Sequence, residues 1–263
     1  MQKIHTAHRA LKVANAKSAL KGRDVRFGYE DAVDLFFAED GDRRQYFHNF
    51  RRGASIYKYG LTHRAKQLWN SYCLEHVEMR PDDVVVDCGA NYADLWLTLR
   101  GRIAPENYIP FEPGDGEFKS IAQNAPDCTN MNYGLGNKAE TLTFYVNEKD
   151  ADSSFIEPSR YDAKVTLSTL RLDDFVEEQE LRAIRLFKLE AEGFEPEILQ
   201  GAERALKIID YVAIDGGNER GAAKEQTFTD QANFLFEHGF EMLDVKLSWG
   251  RALFRNKALQ DAA

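Results

Sequence analysis

The feature that most constrains the fold is a short apolar run, Val84 to Val86, that ends in Asp87-Cys88-Gly89. An unbroken β-branched run closed by glycine is typical of a strand buried on both faces of a parallel sheet. Downstream, candidate strands and helices alternate, which predicts βαβ crossovers and an open, doubly wound α/β sheet with ligands at the carboxyl ends of its strands. The further predicted strands are 107–111, 130–135, 141–147, 185–190, 209–214, 240–246 and 251–255, and the predicted helices are 92–102, 115–123, 173–182, 195–206 and 225–238.

Length and composition are those of a globular protein rather than a disordered or fibrous one. The 263 residues are 43% hydrophobic and 29% charged, and about 75% of the surface of such a chain can be buried on folding. The charge is uneven, because residues 1–26 carry a net +6 while the rest of the chain carries −15. An acidic body repels phosphate backbones, so we expect no nucleic-acid partner.

The cysteines and the apolar runs indicate a cytoplasmic protein. Cys73, Cys88 and Cys128 are odd in number and form no C-x-x-C pair, which argues against a disulfide framework or a zinc site. No stretch reaches the roughly 18 apolar residues of a transmembrane helix, and the basic N-terminus lacks the apolar core of a signal peptide. We therefore expect neither a membrane-spanning helix nor export.

Residues 1–79 are predicted to be an N-terminal extension of a main domain that covers residues 80–257. The first helix is weakly amphipathic, and it is either a solvated or partner-packed arm or an element attracted to anionic lipid, which needs a larger apolar face. Residues 27–60 are rich in aromatic residues and arginine and predict short strands or turns, which serve either as a lid or as a packing appendage. The apolar stripe of the first helix consists of Ile4, Ala7, Leu11 and Ala14.

The turn after the first buried strand favours a particular kind of ligand. Gly89 has no Cβ, so a ligand can approach the backbone closely there. The G-x-G-x-x-G pattern is absent, and Asp87 would repel the pyrophosphate of a dinucleotide. A cofactor with a cationic centre, such as S-adenosylmethionine, tolerates that carboxylate. The alternative is that Asp87 only caps the following helix.

A second acid stands 25 residues after Asp87, where Glu112 follows the next predicted strand. A carboxylate at this offset can accept hydrogen bonds from both hydroxyls of a ribose, which points to an adenosine-containing ligand. The alternative is a surface acid before a turn at Pro113.

Three further acids, Glu190, Glu192 and Asp215, follow two later strands and are expected at the same edge of the sheet. Acids gathered at one edge are costly unless they are solvated or used. Helix capping is the alternative, and for Glu195 and Glu197 it is the preferred interpretation.

Taken together, these blocks resemble the FkbM family of S-adenosylmethionine-dependent methyltransferases. The resemblance covers about residues 80–255, and it implies a Rossmann-like sheet of seven strands with the last one antiparallel. It also implies methylation of a hydroxyl on a sugar, a polysaccharide or a secondary metabolite. Two positions depart from the family pattern, since Ala93 stands where glycine is usual and Glu190 where aspartate is frequent. The matching blocks are Asp87-x-Gly89-Ala90-Asn91, Phe111-Glu112-Pro113, Leu170-x-Leu172-Asp173-Asp174-Phe175 and Lys188-Leu189-Glu190-x-Glu192-Gly193-x-Glu195.

The sequence thus predicts an O-methyltransferase that uses S-adenosylmethionine and acts on a small-molecule or carbohydrate acceptor. Glu190, Glu192 and Asp215 are the candidate catalytic bases, and a Mg²⁺ ion bridging two of them is an open alternative although no metal site is predicted. Rival hypotheses are a nicotinamide-dependent oxidoreductase and a non-catalytic nucleotide-binding module, and a homo-oligomer is compatible with the sequence. The predicted cofactor-binding residues are Asp87, Gly89, Ala90, Asn91, Glu112, Pro113 and Leu135.

Overall fold

The computed structural model describes residues 2–147 and 153–260. The side chains of residues 2–7 lie outside the described part, and with them those of Ile4 and Ala7 in the predicted apolar stripe. The helices are α1 (Gln2–Leu20), α2 (Phe50–Ile56), α3 (Leu61–Ser71), α4 (Trp96–Leu99), α5 (Asp115–Asn124), α6 (Leu172–Glu178), α7 (Glu195–Gln200), α8 (Phe228–Glu237) and α9 (Lys257–Gln260). The strands are β1 (Arg26–Glu30), β2 (Leu35–Asp40), β3 (Arg43–Phe47), β4 (Val85–Cys88), β5 (Tyr108–Phe111), β6 (Gly134–Leu135), β7 (Glu140–Val146), β8 (Ala163–Leu170), β9 (Ile184–Leu189), β10 (Ile209–Asp215), β11 (Asn218–Arg220), β12 (Glu225–Gln226), β13 (Phe240–Lys246) and β14 (Arg251–Asn256).

The central sheet confirms the predicted α/β class. Its strand order is β13-β14-β10-β9-β4-β5. The four strands β10, β9, β4 and β5 run parallel, and β14 is antiparallel to both of its neighbours. All four residues of β4 are buried, as expected for a strand with helices packed on both faces. The last strand is antiparallel, as the family resemblance implies.

The sheet has six strands in the described residues, whereas the resemblance implied seven. The predicted strand 130–135 contacts the central sheet through a single parallel bridge, between Phe111 and Met131. The Asn132 side chain then donates to the main-chain oxygens of Glu112 and Pro113. From there β6 pairs with β8 in a separate sheet of order β6-β8-β7, so the seventh position is reduced to that bridge.

The predicted helix 92–102 is reduced to the short helix α4. Asn91 and Ala93 adopt left-handed φ angles of 54° and 58°, so the chain leaves β4 through turns before it becomes helical. A left-handed residue other than glycine costs about 1–2 kcal/mol, which explains why glycine is usual in the family where Ala93 stands here. Asp94 stabilises these turns by accepting hydrogen bonds from Tyr57 Oη at 2.5 Å and Arg64 Nε at 2.7 Å.

The N-terminal extension is packed onto the central domain. Strands β1 to β3 form an antiparallel sheet, and the Asn15 side chain of α1 pairs with both the N–H and the C=O of Phe27. Gln45 of β3 donates to the main-chain oxygen of Tyr92. Helix α3 belongs to the central core, where its Leu68 is buried. Among the described residues, no helix has both the length and the apolarity that a membrane crossing requires.

Candidate active site

A cavity opens at the carboxyl ends of β4, β5 and β9, where the sequence predicted the ligand site. Its volume is about 740 Å³, counting the space open to solvent. Acidic and amide side chains line one part and aromatic rings the other. The residues that line it are Arg52, Cys88, Gly89, Asn91, Phe111, Glu112, Pro113, Glu117, Tyr133, Gly134, Leu135, Phe144, Ser153, Phe155, Glu190, Ala191, Glu192, Phe194 and Ile198.

Glu112 is fixed in this cavity by backbone donors. Its two carboxylate oxygens accept hydrogen bonds from the N–H of Asn91 at 2.9 Å and from the N–H of Gly114 at 3.0 Å. The residue is 8% exposed. Burial, followed by the nearby carboxylate of Glu117, raises the pKa of Glu112 to about 8. A carboxylate has about four acceptor positions, so two positions are left for hydroxyl donors of a ligand.

The turn between β4 and α4 places polar groups beside Glu112. Gly89 has a φ of +69°, and a Cβ there would lie 1.8 Å from the main-chain oxygen of Glu190. Glycine is therefore required at position 89 because the loop after β9 passes so close to it, before any ligand is considered. The side-chain Oδ1 of Asn91 is buried and has no hydrogen-bond partner among the described residues. An unsatisfied buried acceptor is costly, so this atom is suited to a donor on a ligand.

The remaining wall of the cavity is apolar and aromatic. Phe155 packs against Phe144 and Phe194, with ring centroids 4.8 Å and 5.3 Å apart. Leu135 of β6 is buried beside them. Ser154, which precedes Phe155, donates from Oγ to the main-chain oxygen of Glu192 at 2.8 Å. The 153–155 segment thus covers the cavity, and its rings offer a flat apolar surface to a planar ligand group.

A buried lysine links Asp87 to Glu190. Lys188 Nζ lies 3.0 Å from Asp87 Oδ1 and 3.0 Å from Glu190 Oε2, and it also donates to the main-chain oxygens of Cys88 and Gly89. Asp87 accepts a further hydrogen bond from Tyr108 Oη at 2.6 Å. Asp87 therefore contacts Lys188 rather than the cavity, and Lys188 links the ends of β4 and β9.

Arg251 continues this chain of charges on the other side of Glu190. Its guanidinium lies 3.0 Å from Glu190 Oε1 and 2.7 Å from Asp215 Oδ2. Burial alone would raise the pKa of Glu190, but Lys188 and Arg251 lower it well below its ordinary value. Burial and the negative charge of Glu190 raise the pKa of Asp215. Glu190 is thus held as an anion with weak affinity for a proton.

Glu192 stands on a strained loop that other side chains brace. Its φ is +49°, in the left-handed region that favours glycine, and such a conformation in a non-glycine residue costs about 1–3 kcal/mol. Glu195 accepts from the N–H groups of Ala191 and Gly193, and from the hydroxyl of Thr227. Glu195 lies in the first turn of α7, but these bonds brace the preceding loop rather than cap the helix, so helix capping by Glu195 stays a prediction.

Comparison with known proteins identifies the family. The sequence model described as Methyltransferase FkbM domain matches residues 87–242, which is more than half of the chain. The chain belongs to the FkbM methyltransferase family. The S-adenosylmethionine dependence implied by the sequence resemblance is thus the cofactor chemistry of its family, and family membership argues against the nicotinamide-dependent alternative.

Two curated relatives of this FkbM methyltransferase are distant. The hexuronic acid methyltransferase AglP of Haloferax volcanii is 24% identical over 142 residues, which are 52% of this chain and 57% of AglP. The match therefore spans less than two thirds of AglP. Methyltransferase 1 of Beauveria bassiana is 22% identical over 215 residues, which are 70% of this chain and 82% of the relative.

Two solved structures align with this chain at low similarity. Sp1610 of Streptococcus pneumoniae, in complex with S-adenosyl-L-methionine, aligns with a TM-score of 0.41 at 14% identity, over 73% of this chain and 72% of its own. An rRNA methylase of Streptococcus thermophilus aligns with a TM-score of 0.39 at 13% identity, over 73% of this chain and 94% of its own.

The FkbM methyltransferase cavity brings together seven of the ten residues that the sequence singled out. Asp87, Ala90 and Asp215 are not among the described residues that line it. Asp87 and Asp215 instead pair with the two cations that flank Glu190. The seven lining residues are Gly89, Asn91, Glu112, Pro113, Leu135, Glu190 and Glu192.

Sequence reasoning missed two charged residues of the cavity, Arg52 on α2 and Glu117 on α5. Glu117 is the third residue of α5, the helix that follows the Glu112 turn, and an acid in that first helical turn is a signal that could have been used. Nothing in the sequence indicates that Arg52 reaches the cavity, because its placement depends on how the N-terminal sheet packs. Arg52 gives the extension a side chain in the wall of the cavity.

A second cavity of the FkbM methyltransferase adjoins the first and shares Arg52, Glu117, Phe144 and Ser153 with it. Its volume is about 750 Å³ including space open to solvent, and the polar residues His48, Asp115 and Asn147 are part of its lining. The Nδ1 atom of His48 is buried without a partner among the described residues.

Metal ligands are not gathered in either cavity within the part of the chain that the structure describes. The group close enough to share an ion consists of Glu75, His76 and Asp244, at the surface. Lys246 lies 3.4 Å from Glu75 and 3.0 Å from Asp244, so an ammonium already offsets part of the negative charge of these carboxylates.

Proposed function

We propose that this protein transfers the methyl group of S-adenosylmethionine to a hydroxyl of a sugar, a polysaccharide or a hydroxylated secondary metabolite. The observation that carries the proposal is the cavity with Glu112 in one wall and Glu190 and Glu192 in another. The similarity to a hexuronic acid methyltransferase supports a saccharide as the acceptor class.

The chemistry of the first cavity fits the cofactor. Glu112 would accept hydrogen bonds from the ribose hydroxyls, and the unpaired Oδ1 of Asn91 would accept one from an ammonium group. Leu135, Phe155 and Phe194 would contact the adenine. When bound, S-adenosylmethionine supplies an activated methyl carbon whose transfer leaves a neutral thioether.

The acids beyond the cofactor have different capacities. Glu190 is held as an anion by Lys188 and Arg251, so it provides a fixed negative charge rather than a place for a proton. Its carboxylate favours a cationic centre nearby. Glu192 lines the cavity on a strained loop, and we assign it the role of accepting the hydroxyl proton as the new oxygen–carbon bond forms.

The acceptor would enter from the second cavity. That cavity shares Arg52 and Ser153 with the first, and it offers the imidazole of His48 as a further polar group. Polar side chains between aromatic rings are suited to a polyhydroxylated molecule. In this arrangement the N-terminal extension forms part of the acceptor wall.

The test is methyl transfer from S-adenosylmethionine to a panel of sugars, hexuronic acids and methyl glycosides, followed by mass spectrometry. Glu192→Gln is expected to lower turnover by about 10²–10⁴-fold and to leave the affinity for S-adenosylhomocysteine unchanged. The matched control is Glu197→Gln, because the carboxylate of Glu197 is paired with Arg220 at 2.6 Å outside the cavity lining.

Two results would contradict the proposal. Binding of S-adenosylhomocysteine without methylation of any hydroxylated acceptor would favour the non-catalytic nucleotide-binding alternative. Full turnover of Glu192→Gln would remove this residue from proton transfer and leave alignment of the acceptor as the source of catalysis.

A further inference from the structure

A second, separate surface of the protein is a basic groove between α1 and α2. Its volume is about 1320 Å³, counting the space open to solvent. No acidic side chain lines the groove among the residues described. The cationic residues that line it are Arg9, Lys17, Lys21, Arg23, Arg51 and Lys58.

These six cations have no carboxylate partner in the described ranges 2–147 and 153–260. Arg23 and Lys58 lie over the ring of Tyr59 at 4.2 Å and 5.3 Å from its centroid, and that ring is 52% exposed. In contrast, the chain as a whole has a net charge of −9. Positive charge of this density on an acidic protein orients the molecule towards an anionic surface.

The floor of the groove is apolar. It contains Val13, Ala14, Phe27, Phe50 and Ala54. Val13 is 47% exposed although it lies inside the groove lining. Cations around an apolar floor match a ligand that carries a phosphate next to hydrocarbon.

A lipid surface accounts for these features better than a nucleic acid does. Nucleic acids supply phosphates but no aliphatic chain to cover Val13. Leu20, the last residue of α1 and the chain neighbour of the groove residue Lys21, is 87% exposed. An exposed aromatic ring such as Tyr59 is typical of residues at the level of lipid headgroups.

We propose that the basic groove is a docking surface for anionic phospholipid bilayers, with lipid phosphates on its six cations and acyl carbons on its apolar floor. This inference is independent of the proposed methyl transfer. It has a consequence for the active site, since Arg51 lines the groove and the next residue, Arg52, lines the cofactor cavity. Helix α2 would therefore lie between the docked membrane surface and the cavity.

The experiment is co-sedimentation of the full chain with vesicles of phosphatidylcholine, with and without phosphatidylglycerol. Binding is expected only with phosphatidylglycerol and is expected to fall with salt. Each cation near an anionic surface contributes about fivefold to partitioning, so Lys17→Gln/Lys21→Gln should bind about thirtyfold more weakly. The matched control is Lys138→Gln/Lys207→Gln, which removes the same charge from exposed residues outside the groove.

Additional measurements distinguish binding of a lipid bilayer from binding of other anions. Val13→Ser should weaken vesicle binding with no change of charge, and the melting temperature and S-adenosylhomocysteine affinity of each variant show whether it is folded. Equal loss of vesicle binding in the control variant would mean that net charge alone is responsible, and it would overturn the proposal that the groove is the docking surface. Tight binding of inorganic phosphate or of an RNA oligomer to the groove, without vesicle binding, would also overturn the proposal.

Discussion

Replacing Lys188 by methionine tests the chain of charges beside the candidate active site. Lys188 Nζ is the cation next to Asp87, which is 1% exposed, and only the hydroxyl of Tyr108 would remain on that carboxylate. Removing one partner of a buried ion pair costs about 3–5 kcal/mol, because the other charge stays buried and unpaired. For a chain of 263 residues, 1 kcal/mol corresponds to about 2 °C in melting temperature, so Lys188→Met should lower it by about 6–10 °C.

Thermal and denaturant unfolding followed by circular dichroism measure this loss. The control is Lys119→Met, since Lys119 pairs with Asp34 at 3.4 Å on the surface, where such a pair contributes about 0–1 kcal/mol. Asp87→Asn/Lys188→Met should be more stable than Lys188→Met alone, because a neutral amide costs less to bury than a carboxylate. If Lys188→Met unfolds within about 1 kcal/mol of the Lys119 control, the buried pair does not hold the turn as we argue.

Three further predictions concern the ligand site. Burial and Glu117 raise the pKa of Glu112 to about 8, and hydroxyl donors bind the ionised form of this carboxyl. The affinity for adenosine, measured by calorimetry, should therefore rise by up to about tenfold per pH unit below pH 8 and level off above it. Glu112→Gln should show no such rise, and a flat wild-type profile would contradict the assignment. Gly89→Ala should unfold more easily and lose S-adenosylhomocysteine binding, because its Cβ would meet the Glu190 carbonyl at 1.8 Å; unchanged binding would show that the loop yields. Arg251→Lys loses a fork that reaches Glu190 at 3.0 Å, so the pKa of Glu190, followed by NMR titration of its carboxyl carbon, should rise but stay below its ordinary value, because Lys188 remains 3.0 Å away; an unchanged pKa would show that the guanidinium is not needed.

The sheet could be predicted from the sequence because its strands carry their own signals. Val85 and Val86, two of the β-branched residues before Asp87, are fully buried as that run predicts, and strand β13 has the predicted bounds, Phe240 to Lys246. The prediction over 92–102 was wrong in extent, because the left-handed turns at Asn91 and Ala93 depend on contacts that Asp94 makes with the distant extension. Local propensity does not contain such contacts.

The candidate site likewise has features that the sequence shows and features that depend on tertiary contacts. Glu112, Glu190 and Glu192 could be placed at one edge of the sheet by the sequence alone, because parallel strands end on the same side and acids at their ends are visible in the chain. The sequence could not show which of these acids can take a proton, because Arg251 reaches Glu190 only through the antiparallel pairing of β14 with β10. The entry of Arg52 into the cavity likewise depends on packing of the N-terminal sheet. The sequence by itself determined the fold class, the family and the carboxylates of the site, whereas the tertiary structure decided their charges and partners, because electrostatic energies depend on distances between residues that are far apart in the chain.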